Sequence, residues 1–205
     1  MDRKIPIELE TGRIACHDPV FRPVMTLPGD NAHIQERRPL CVDLFILRHG
    51  KAQPADCTTH DADRALTGKG RDEITSVAQW MVSRGYDFDV IATSPLKRAR
   101  QTAEIIASFQ GAKHRVVVWE SLAVAGDLDA ICRNLGEYEK SGKVLIVGHE
   151  PTLSMLISRI ITGTDTAAIV MAKGGLAKIR NYSSQYRPFG ELQWLLSPRQ
   201  MIISE

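Results

Sequence analysis

The chain is 205 residues long, 43% hydrophobic and 24% charged, with a net charge of +2. That is room for one domain with a full core, or one domain and an extension, and so small a charge gives no case for nucleic acid or a membrane surface as a partner. Aromatic residues are only 6% of the chain, too few for a base-stacking platform.

Met1 to about Leu40 holds Pro6, Pro19, Pro23, Pro28 and Pro39, half of the ten prolines, with charges of both signs and no sustained period. It reads as an irregular arm over residues 1–40, either packed on a domain formed by 41–205 or disordered. Its first residues lack the hydrophobic core of a signal peptide, and no apolar run reaches the roughly 18 residues of a membrane span. Cys16, Cys41, Cys57 and Cys132 form no CxxC pair, so neither zinc nor a disulfide framework is indicated and a reducing, cytoplasmic setting fits.

Val42–Leu47 is a nearly continuous apolar run, the pattern of a strand buried on both faces. It ends in Arg48-His49-Gly50: a fixed cation, an imidazole, and a residue free to take positive φ. A polar segment, Lys51–Arg64, follows. Thr67 is placed to cap a helix whose buried stripe is Ile74, Val77, Ala78 and Met81, and Gly85 stops it. Val90–Thr93 is a second strand. Pro95 then suits the first turn of a helix over Leu96–Ser108, which carries Lys97, Arg98 and Arg100 at its start. Basic residues there oppose the helix dipole, and an anion nearby would compensate them.

Arg115–Trp119 is a third strand. Leu128, Ile131, Cys132 and Leu135 have helical spacing, and Val144–Val147 is a fourth strand ending in Gly148-His149-Glu150-Pro151. A helix with Leu153, Leu156, Ile157 and Ile160 on one face follows. Ala167–Ala172, Gly175–Tyr182 and Glu191–Leu196 read as strands, the last two as an antiparallel hairpin. The alternation predicts an α/β three-layer sandwich: a mainly parallel sheet with helices on both faces.

Ligands of an open α/β sheet sit beyond the carboxyl ends of its strands. His49 and His149 both stand at such ends, and Arg48 and Arg98 follow strands on the same rim. Cationic and titratable groups without an acidic ligand cluster suit a dianion, and the planar guanidinium fork suits phosphate oxygens. Metal binding by His49, His60 and His149 is the rival reading. It lacks a carboxylate trio or H-x-x-x-H spacing, and two arginines would repel a cation. No metal or other cofactor is expected.

Leu47-Arg48-His49-Gly50 resembles the R-H-G signature of the histidine phosphatase (phosphoglycerate mutase-like) superfamily. The resemblance continues, in the family's order, through Leu66-Thr67 with Gly70, Ser94-Pro95-Leu96-Lys97-Arg98-Ala99 with Gln101-Thr102-Ala103, and Val147-Gly148-His149. The short stretch between Trp119 and Leu128 is most similar to the SixA phosphohistidine phosphatases, since larger branches insert a helical cap there. The resemblance implies a phosphoglycerate mutase-like fold and a metal-independent phosphatase. In it His49 is the nucleophile that becomes phosphohistidine, and Arg48, Arg98 and His149 complete the phosphate pocket. Gly50, Thr67 and Ser94 are further candidates for phosphate contacts. Thr67 is equally explained as a helix cap, and Ser94 as a turn residue.

Mutase and broad phosphatase members carry a glutamate after the third strand to protonate the leaving oxygen. Here that position falls near Val124, with Glu120 slightly early and Asp127 slightly late, the latter placed as an N-cap. A missing acid penalises alkyl esters by about 10²–10⁴-fold, and a phosphohistidine, which loses imidazole, much less. The expected substrate is therefore a phosphorylated protein of the histidine phosphotransfer type. The alternatives are a small phosphorylated metabolite or, from another class, a non-catalytic phosphate-binding or docking module.

Overall fold

The computed structural model describes residues 42–55, 60–111, 113–139 and 141–202. The arm expected over residues 1–40 lies outside them. Six strands form one sheet: β1 (Val42–Arg48), β2 (Val90–Thr93), β3 (Val116–Val118), β4 (Lys143–Gly148), β5 (Leu176–Ser183) and β6 (Phe189–Leu196). Their spatial order is β3-β2-β4-β1-β5-β6. The first four run parallel, while β5 pairs antiparallel with β1 and β6 antiparallel with β5.

The helices are α1 (Gly68–Ser83), α2 (Lys97–Phe109), α3 (Leu128–Gly136) and α4 (Thr152–Thr162). Successive side chains of a strand point to opposite faces, and the inner strands divide accordingly. Leu44, Ile46, Val144 and Ile146 join the core beneath α3 and α4, with Leu135, Leu156 and Ile157. Phe45, Leu47, Leu145 and Val147 join the core beneath α1 and α2, with Ile74, Met81, Ala103 and Ile106. β1 and β4 are therefore apolar at nearly every position because they are covered twice. The architecture is the α/β sandwich that the strand–helix alternation predicts.

Local chemistry sets the element boundaries. Thr67 caps α1, its hydroxyl oxygen accepting from the Gly70 amide at 3.0 Å and its hydroxyl donating to the Lys51 carbonyl at 3.2 Å. Asp127 caps α3 by accepting from the Asp129 amide at 2.8 Å. Gly70 is required by close approach, since a Cβ there would stand 2.1 Å from the Lys51 carbonyl oxygen. We expect Gly70→Ala to lower stability by about 2 kcal/mol or more, because backbone rather than a flexible side chain must yield, as a urea unfolding midpoint would record.

Three elements differ from the sequence reading. Ala167–Ala172 is not a strand: the Ala167 amide donates to Ser158 Oγ at 2.9 Å and the Met171 carbonyl accepts from Arg48, so this backbone bonds to side chains rather than to a neighbouring strand. Pro95 lies outside α2, because Leu96 is the N-cap and the helix begins at Lys97. Arg115 precedes β3 in a single helical turn, its guanidinium donating to the Phe88 carbonyl at 2.7 Å and to Asp87 at 3.0 Å.

Candidate active site

The carboxyl ends of β1, β2 and β4 meet through their backbones. The His49 amide donates to the Gly148 carbonyl at 3.1 Å, and the Ser94 amide to the Val147 carbonyl at 3.0 Å. Arg48 and Gly148 are register partners, so the residues that follow them, His49 and His149, emerge side by side. Their ring centroids are 4.9 Å apart with the planes inclined at 53°. Both rings are buried, as are Ser94 and Arg98.

His49 Nδ1 lies 2.7 Å from the Gly50 carbonyl oxygen. A carbonyl only accepts, so Nδ1 carries the proton and Nε2 keeps its lone pair. Gly50 is not in the left-handed region, contrary to the role the sequence reading gave it. It is needed because a Cβ there would stand 2.7 Å from Ile74 Cγ1. Its amide is already engaged, donating to Thr102 Oγ1 at 3.2 Å, and the Thr102 hydroxyl donates to the Arg98 carbonyl at 2.8 Å.

His149 Nε2 lies 2.8 Å from Ser94 Oγ, which also accepts from the Leu96 amide at 3.2 Å. Ser94 Oγ keeps a second lone pair as well as its own proton, so this contact accommodates either neutral tautomer of His149. His149 Nδ1 is buried with no partner, as are Arg48 Nε and Arg98 Nε. Buried donors are costly unless satisfied, and an oxyanion would satisfy such a group.

Two arginines are fixed by long-range contacts. Arg48 donates through Nη1 to the Met171 carbonyl at 2.6 Å. Arg98 donates through Nη1 to the Asp61 carbonyl at 2.7 Å and through Nη2 to Asp61 Oδ2 at 3.1 Å. Asp61, in a helical turn over Asp61–Asp63, also lies 3.4 Å from Arg64 Nε. Burial works against its charge, but the Arg98 hydrogen bond and the Arg98 and Arg64 charges outweigh it and hold the carboxyl below its ordinary range.

The electrostatics keep both imidazoles neutral. His49 is pushed down to about 4, chiefly by burial, with the Arg98, Arg48 and Lys173 charges adding to it against the Gly50 hydrogen bond. His149 is pushed down to about 3 by burial, by its neighbour His49 and by Arg98. For His49 the unfolded chain takes up a proton below the ordinary value of 6.5 that the folded state refuses until about 4. Its contribution to stability is intact above that window and lost as pH falls through it, roughly 3 kcal/mol for His49 alone. Urea midpoints at pH 7 and 4.5 should fall less for His49→Asn than for the unmodified protein.

The sequence-derived candidates divide accordingly. Arg48, His49, Ser94, Arg98 and His149 converge, whereas the hydroxyl of Thr67 is engaged at the α1 cap. Asp127 is likewise engaged at its own helix cap, and Glu120 and Val124 are exposed. His60 is exposed and its ring accepts from the Ala62 amide. Among the described residues no group of three His, Cys, Asp or Glu side chains is placed to hold a metal ion. Thr102 is named in the sequence only within the family motif, with no role in the site, and sequence reasoning missed Asp61 and Met171 outright. Of these two only Asp61 left a trace, as an acidic residue three before Arg64 in the polar segment.

Residues 44–124 match the family model described as histidine phosphatase superfamily (branch 1). An uncharacterized protein of Picosynechococcus sp. is 34% identical over 165 residues, covering 78% of this chain and 99% of that protein. The chain belongs to the histidine phosphatase superfamily. This phosphatase is also 28% identical over 124 residues to the phosphohistidine phosphatase SixA of Escherichia coli (strain K12), covering 60% of the chain and 76% of SixA. Its fold superposes on the protein histidine phosphatase SixA complexed with tungstate with a TM-score of 0.70 at 24% identity, over 78% of this chain and 99% of that one. The fold is thus the phosphoglycerate mutase-like sandwich, the chain is a hydrolase of the phosphatase class, and among the branches it is most like the SixA proteins. No described helix is long and apolar enough to cross a membrane.

Proposed function

We propose that this phosphatase removes the phosphoryl group from a phosphohistidine on a protein, through a phosphohistidine intermediate on His49. Nε2 of the neutral His49 ring attacks phosphorus, the P–N bond to the substrate imidazole breaks, and the departing imidazole nitrogen takes a proton from water. A water molecule then attacks phospho-His49, releasing inorganic phosphate and restoring the neutral ring. Arg48 and Arg98 neutralise charge on the transferring oxygens, and His149, as the neutral tautomer protonated on Nδ1, donates a hydrogen bond to them, which together is most of what phosphoryl transfer asks of a protein.

The observation that carries the choice of substrate is the state of the acids. Asp127 is spent on a helix cap, and Asp61, a carboxylate bonded to the Arg98 guanidinium, is held ionised by it. An ionised carboxylate below its ordinary range is a poor proton donor, so an alkoxide would leave badly and an imidazole would not need the help. Likeness to SixA of Escherichia coli supports the same reading.

The test is a comparison of kcat/KM for a phosphohistidine-bearing protein against a panel of alkyl phosphate esters without added metal. Phosphohistidine should be favoured by at least about 10²-fold. Equal or faster hydrolysis of the esters would replace this reading with that of a small-molecule phosphatase.

A further inference from the structure

The segment before β5 is pinned to the nucleophile's backbone. The Gly174 amide donates to the carbonyls of Arg48 and His49, each at 3.1 Å, and the Arg48 amide donates to the Gly175 carbonyl at 3.0 Å. The Arg48 guanidinium closes the other side on the Met171 carbonyl at 2.6 Å. Between these anchors the Gly175 amide donates to the Ala172 carbonyl at 2.8 Å, and Gly174 has φ of +71°. That is a tight turn with Lys173 at its second position and the obligatory left-handed residue at its third.

Lys173 is exposed and makes no ion pair with a carboxylate among the described residues. The turn is bonded to His49 itself, so this cation is held at the rim of the site, and its charge is among those that disfavour protonation of His49. Phosphoryl binding already has Arg48, Arg98 and His149. Val170, in the same segment, is 89% exposed, so this stretch of the rim is open to a protein that carries the phosphohistidine.

We propose that Lys173 is a specificity-determining residue that pairs with an acidic side chain flanking the phosphohistidine of the partner protein. The inference rests on the phosphohistidine reading above and adds the charge of the surface that the site accepts. A rim ammonium facing a carboxylate in water is a modest, salt-sensitive contact that acts mainly on encounter and KM.

The experiment uses two phosphohistidine peptides, one flanked by Asp and Glu and the other by Asn and Gln at the same positions. The unmodified enzyme should prefer the acidic peptide by about fivefold in kcat/KM, in KM rather than kcat, with the preference fading at high salt. Lys173→Gln should erase the preference while leaving the neutral peptide unchanged, and Lys173→Arg should keep it. Absence of any preference, or its survival in Lys173→Gln, overturns the role of Lys173 alone. Failure of the unmodified enzyme to turn over either peptide overturns the phosphohistidine reading and this inference with it.

Discussion

His49→Ala should abolish turnover, by at least about 10⁴-fold, because the covalent route loses the atom on which it is built. The backbone around it should survive. The His49 amide bond to Gly148 does not involve the side chain, and removing a buried imidazole removes an acid-labile group rather than a packing keystone. The decisive measurement is label transfer from a phosphoryl donor during brief exposure. The unmodified protein should carry label that is lost in acid and kept in alkali, as a P–N bond requires, and His49→Ala should carry none. Label and turnover persisting in His49→Ala would move the nucleophile elsewhere. Tight vanadate binding by a protein that neither labels nor turns over would make the pocket a binding module.

Arg98→Ala should lower kcat/KM by about 10²–10³-fold, the range for removing one preorganised donor from a developing oxyanion. The loss has two sources. A phosphoryl oxygen loses a guanidinium, and Asp61 loses the nearer of its two cations and keeps only Arg64, leaving a less compensated negative charge where a dianion must bind. Arg98→Lys should recover only part of the activity. Lysine has a single nitrogen in place of the planar fork with which Arg98 reaches the Asp61 carbonyl through Nη1 and its carboxylate through Nη2, so it reproduces that geometry less well. The same logic makes the double variant Arg98→Ala with Asp61→Asn more active than Arg98→Ala alone. Two independent losses would instead add.

How much of this was legible in the sequence follows from where each signal is written. The apolar runs of β1 and β4 with histidine at their ends were plain, because burial on two faces leaves almost no polar residue before the site begins. Thr67, Asp127 and the stripes of α1, α3 and α4 were likewise local matters of capping and spacing. Asp61 and Met171 were hidden because their partners lie 37 and 123 residues away, and because Met171 acts through a carbonyl that any residue possesses. Ala167–Ala172 misled for a related reason. Its composition suits a strand, but its backbone bonds are claimed by the Ser158 and Arg48 side chains. Gly50 was read for its φ freedom when the constraint was the distance to Ile74.

The two carbonyls at the end of β4 receive the amides of His49 and Ser94, so the imidazole pair and its serine are fixed by the ladder that also sorts the core. A slip of one residue between β1 and β4 would part the two rings and, in the same movement, turn Phe45 and Leu47 to the wrong face of the sheet. A chain in that state has neither a core nor a pocket. During refolding from denaturant, recovered activity should therefore rise in proportion to the recovered native population, with every folded molecule fully competent and no dim, half-active species on the way.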